Sequence, residues 1–74
     1  MSKRFNIIIE NDRNGYFAYC PELDGCHSQG ESLDEAIKNI KEAIELYLET
    51  ISEEEKNAIQ TKEIISTSYE VTFA

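Results

Sequence analysis

Pro21-Glu22-Leu23-Asp24-Gly25-Cys26-His27-Ser28-Gln29-Gly30-Glu31-Ser32-Leu33-Asp34-Glu35-Ala36 holds a strand end, a corner, a short strand and a helix start. Pro21 cannot donate to a ladder, so it closes the strand before it. Asp24-Gly25 reverses the chain while Leu23 tucks beneath the turn, and Cys26–Gln29 predicts a short third strand. Gly30 frees the backbone for the turn into a helix. Ser32 and Glu35 have the spacing of a capping box, in which each side chain satisfies the other's free amide. Asp34 and Glu35 also set negative charge at the positive end of the helix dipole.

Beyond that start, Leu33, Ala36, Ile37, Ile40, Ala43, Ile44, Tyr47, Leu48 and Ile51 recur at spacings of three and four. They predict one amphipathic helix with an apolar stripe about 28 Å long. Lys38, Asn39, Lys41, Glu42, Glu45 and Glu49 take the other side. Upstream, Arg4–Glu10 reads as a strand with Phe5, Ile7 and Ile9 on one face. Asn14-Gly15 predicts a hairpin turn using positive φ values. Tyr16–Cys20 returns antiparallel, with Phe17 and Tyr19 on one face and Tyr16, Ala18 and Cys20 on the other. Downstream, Ser52 with Glu53, Glu54 and Glu55 marks a second, short helix to about Gln60. Glu63–Phe73 predicts a last strand, in which Ile65, Thr67, Tyr69, Val71 and Phe73 alternate with Ser66, Ser68, Glu70 and Thr72. The expected fold is α+β: a three- to four-stranded, mostly antiparallel sheet packed on one long helix, in the order β-β-β-α-(α)-β.

Seventy-four residues leave room for one domain, 1–74, with a core too small to be more than marginal. Self-association or a covering partner is therefore expected, and the last strand offers a dimer seam or docking edge. Fifteen Asp and Glu against seven Lys and Arg give a net charge of -8. That balance disfavours direct binding to nucleic-acid phosphates and suits a basic partner. No apolar run is long enough to span a membrane, and no signal peptide precedes the first strand. A cytoplasmic protein with two free thiols is expected.

The side chains that could carry chemistry point away from catalysis. Cys20, Asp24, Cys26 and His27 lie close in sequence but lack the paired Cys-x2-Cys spacing of structural zinc sites. His27, the single histidine, has no placed nucleophile or orienting group. A two-metal nuclease needs converging acids; Glu10, Glu42 and Glu70 are the conceivable set, but Glu42 falls on the polar side of the helix. No catalytic, metal or cofactor residue is assigned.

The sequence resembles the HicB-like antitoxins. The matching pieces are Asn14-Gly15-Tyr16, then Cys20-Pro21-Glu22-Leu23-Asp24-Gly25-Cys26-His27-Ser28-Gln29-Gly30, then Ser32-Leu33-Asp34-Glu35-Ala36 and Asn39-Ile40-Lys41-Glu42-Ala43-Ile44. They follow the family's order and spacing over roughly residues 4–50. The resemblance implies a partial ribonuclease-H-like fold without that enzyme's catalytic acids. It also implies a type II toxin–antitoxin role, in which a small basic HicA-like toxin that cleaves messenger RNA is bound and its active site covered. An orphan oligomeric relative without a toxin is the alternative. Larger relatives add a C-terminal DNA-binding domain, and none is expected here. The motif residues Gly15, Pro21, Gly25, Cys26, Gly30, Ser32 and Glu35 are expected to be structural. Glu10, Asp12, Glu22, Asp24 and Glu70 are the expected partner-binding acids.

Overall fold

The computed structural model describes residues 2–74. Three antiparallel strands, β1 (Ile8–Asp12), β2 (Gly15–Tyr19) and β3 (His27–Gly30), form a sheet of order β1-β2-β3. Helix α1 (Leu33–Glu49) covers one face, and α2 (Glu53–Ala58) follows. This is the expected α+β arrangement, with the sheet at three strands.

Alternation along β2 decides which face is buried. Ala18, which is opposite Ile9 and Ser28, is fully buried together with Cys20. These small side chains let α1 approach closely, and Ala36, Ile40 and Ile44 fill the contact. Leu23 and Cys26 close the end of the core beneath the corner, while Phe5, Ile7, Ile9 and Tyr16 pack half-buried around it. Phe17 and Tyr19 take the opposite, open face.

Two glycines set the frame, one by its backbone conformation and one by a close approach. Gly25, at φ +75°, permits the corner, where Cys20 N–H donates to Cys26 O at 3.0 Å and Cys26 N–H donates to Leu23 O at 3.1 Å. Gly30 matters for a different reason than backbone freedom, since its φ is not in the positive region. A Cβ there would stand 2.6 Å from the Ala36 amide nitrogen, so Gly30 lets the end of β3 touch the first turn of α1.

Several local expectations are refined. The strand expected from Arg4 begins at Ile8, because β2 ends opposite it at Tyr19 and the chain then turns away. The first hairpin turns at Arg13-Asn14; only Gly15 has positive φ, and Asp12 Oδ1 accepts the Asn14 N–H at 2.8 Å. Ser32 caps α1 by accepting the Glu35 N–H at 3.1 Å, but Glu35 reaches one residue further back, to the Glu31 N–H at 2.9 Å. The reciprocal capping box is at α2, between Ser52 and Glu55.

The largest departure is at the end of the chain. The expected last strand, Glu63–Phe73, joins no ladder within the chain, and Ile65, Tyr69 and Phe73 are 79%, 90% and 89% exposed. Residues 63–74 form an arm, and the molecule measures 54 × 26 × 19 Å. The alternation that predicted a strand specifies one apolar face; it does not specify which chain covers that face.

Gly30→Ala should lower unfolding free energy by about 1–3 kcal/mol, because the added methyl must push α1 off the sheet. A urea denaturation midpoint equal to that of the parent would contradict this close approach.

Candidate protein-binding site

The open face of the sheet carries a partly exposed aromatic cluster. On β2, Phe17 and Tyr19 project to the same side, their rings 5.9 Å apart. His27, paired with Tyr19 across β3, brings its ring to 5.6 Å from Phe17. Ile8 lies beside Tyr19 on β1 and extends the apolar strip. A shallow depression of about 420 Å³ opens here, lined by Phe17, Tyr19, Pro21, Asp24 and His27, with Lys62 at its rim.

Acids flank this strip on both ends. Glu10, opposite Phe17, and Asp12 at the hairpin share a second depression with Phe17. Asp24 stands exposed on the corner at the other end. Three of the five expected partner-binding acids thus border one face. Glu70 does not join them; it lies on the exposed arm.

Glu22 has a different task. Its carboxylate accepts the Asn6 N–H at 2.9 Å, the Asn6 side-chain amide, and the Lys62 N–H at 3.0 Å. It supplies a partner for the backbone ahead of β1, which has no strand beside it, and fixes the root of the arm. Asn6 Nδ2 also donates to Lys62 O at 2.9 Å, and the Thr61 hydroxyl donates to Arg4 O at 2.7 Å. Burial pushes the Glu22 carboxyl upward, but the hydrogen bonds from Lys62 and Asn6 outweigh it and lower it from 4.5 to about 2.

The thiols are built in rather than presented. Both cysteines are free and buried. Burial, reinforced by the Glu22 carboxylate that accepts the Cys20 thiol at 3.5 Å, raises Cys20 to about 11. Burial raises Cys26 as well. Both stay protonated near neutrality, which suits packing and not nucleophilic or ligand chemistry. Glu10, Glu42 and Glu70 occupy the open sheet, the outer side of α1 and the arm, with no common point. Among the described residues, no three His, Cys, Asp or Glu side chains gather as a metal site, and no helix is long and apolar enough to cross a membrane.

The sequence placed Phe17 and Tyr19 on one face without indicating that this face is the open one. The signal available was size: Ala18 and Cys20 are the pair that a close helix can accept. His27 joining the aromatic pair depended on the β2–β3 register, which the corner sets and composition does not show.

Three antiparallel strands beneath one helix, with buried thiols and an acid-flanked open face, define a small α+β protein. The chain belongs to the HicB-like antitoxin family of bacterial toxin–antitoxin systems, whose family model matches residues 5–74. The match runs well beyond the motif region ending near residue 50 and includes the arm. A UPF0150 protein of Helicobacter pylori is 49% identical over 69 residues, 93% of this chain and 96% of that protein. A UPF0150 protein of Synechocystis is 52% identical over 48 residues, 64% of this chain and 61% of the relative. One from Archaeoglobus fulgidus is 55% identical over 47 residues, 62% and 68% of the two chains. No solved structure matches the chain.

Because the folded carboxyl lies below its ordinary value, the stabilisation from Glu22 is complete above about pH 4.5 and is lost as pH falls toward 2. Glu22→Gln should cost about 1–3 kcal/mol at pH 7. The gap between variant and parent should narrow as pH falls from 5 to 2 in thermal melts. A gap independent of pH would show that the carboxylate charge does not hold the arm root.

Proposed function

We propose that this chain is the antitoxin of a type II toxin–antitoxin pair and acts by binding, not by catalysis. Its partner is a small basic HicA-like toxin that cleaves messenger RNA, and binding covers the toxin's active site. The observation that carries this reading is the open face of the sheet. Phe17, Tyr19 and His27 form an aromatic strip bordered by Glu10, Asp12 and Asp24, on a chain of net charge -8. Exposed aromatics supply the anchoring area of an interface, and their faces attract Arg and Lys. The flanking acids steer a basic protein toward that strip and disfavour RNA phosphates, so the chain itself does not bind nucleic acid.

In this reading the protein is a single domain over 1–74 with a partial ribonuclease-H-like arrangement, needs no cofactor, and works in the cytoplasm as a homo-oligomer. Gly15, Pro21, Gly25, Cys26, Gly30, Ser32 and Glu35 serve the fold, and Glu22 serves the arm. Glu70 contributes from the arm, apart from the face. The alternative, an orphan oligomeric member of the family, draws support from the exposed apolar arm, which can serve self-assembly without any toxin.

The test is co-purification with the basic product of a neighbouring gene, followed by an RNA-cleavage assay with and without this chain. Inhibition should be stoichiometric and weaken as salt is raised. Phe17→Ala, outside the core, should weaken binding about tenfold or more. Charge reversal at Glu10, Asp12 or Asp24 should weaken it about two- to fivefold each. A toxin bound equally well by the Phe17 and acidic variants would move the interface elsewhere. Failure of any basic ribonuclease to bind would favour the orphan reading.

A further inference from the structure

The chain has an arm of strand-like sequence pattern that joins no sheet, and a sheet with open edges. Among the described residues, no hydrogen bond joins Glu63–Ala74 to the rest of the chain. The arm's Ile65, Tyr69, Val71 and Phe73 fall at period two and are all exposed. A row of this kind, with β-prone residues and no proline, is a strand awaiting a partner. The sheet ends at β1 on one side and β3 on the other. β3 is short and stops at Gly30 against α1.

The β1 side is different. Helix α1 packs over β3 and β2 and barely reaches β1. Phe5, Ile7 and Ile9 therefore remain half-buried on the helix side of that edge. Leu46 and Tyr47 sit with Cys26 and His27 at the β3 flank, which turns half-buried Leu48 toward the β1 flank. An added strand beside β1, with its apolar row on the helix side, would complete this layer. The arm itself is tied at Thr61 and Lys62 to Arg4, Asn6 and Glu22 and leaves the body immediately afterward. A tethered root followed by a free strand is the form that exchanged elements take.

The geometry points to a second copy of this chain as the partner: each copy lays residues 63–74 along the β1 edge of the other, in a two-fold, arm-exchanged dimer. About twenty residues from each copy would enter the contact, counting the arm and the Arg4–Asp12 edge, which reaches the scale of a specific interface. The arm carries only Glu63 and Glu70 as charges, so apolar burial and strand pairing drive the contact. Its salt response separates it from the toxin reading, on which it does not depend. Two chains of net charge -8 repel, so added salt should leave the dimer intact or tighten it, whereas salt weakens toxin binding.

The experiment is native mass spectrometry and light scattering on the full chain, with Val71→Pro as the variant. The expected parent mass is twice the 8.5 kDa of one chain. Val71→Pro removes a ladder donor from an arm that, among the described residues, makes no hydrogen bond to its own chain, so the body should fold as before and run as a monomer. Isotope-edited NMR on a mixed-label sample of the unmodified protein should give intermolecular contacts from residues 65–73 to Phe5–Ile9. A monomeric parent, a Val71→Pro dimer as tight as the parent's, or intermolecular contacts running instead to β3 or from arm to arm would overturn the proposal.

Discussion

The seating of α1 on the sheet depends on two absences of side chain. Ala18 brings almost nothing to the helix-facing surface of β2, and Gly30 brings nothing where β3 meets the first helical turn. With both positions small, Ile40 can be fully buried and the layer closes at core density. The same seating draws the helix over β2 and β3 and leaves β1 thinly covered. From this constraint follow the open aromatic face on one side and the unfinished edge on the other.

Glu22 links that frame to the ends of the chain. A carboxylate at the corner replaces the strand that Asn6 lacks, accepting the Asn6 N–H on Oε1, and holds the Lys62 N–H on Oε2. One side chain thereby joins the N-terminal segment, the corner and the root of the arm. Lys3 adds a second tie, donating to the carbonyls of Lys56 and Asn57 at the end of α2. The arm's starting point is thus fixed although its length is free. An acid in a charge-rich chain reads by composition as surface; here its hydrogen bonds make it architecture.

Much of the fold was legible. The three- and four-residue spacing from Leu33 to Ile51 gave α1, the Ser52 cap gave α2, and alternation with Pro21 and Gly25 gave three strands. Legibility stopped where a property depends on another part of the chain. Period-two alternation at Ile65–Phe73 announces a strand but not its neighbour, so a pairing within the chain was expected and none formed. Phe17 and Tyr19 were assigned a common face, but whether that face meets the helix depended on how close α1 could come. The expected acids divided for a similar reason: Glu10, Asp12 and Asp24 border one face, whereas Glu22 turns inward and Glu70 rides on the arm.

A single chain leaves an aromatic face open and its C-terminal arm unpaired. Amide hydrogen exchange on the full-length protein, followed at high and low concentration, tests that most directly. Slow exchange across residues 65–73 and along β1 at high concentration, with both segments losing protection together on dilution, is the predicted result. Rapid exchange of the arm at every concentration, with β1 unchanged, would contradict it.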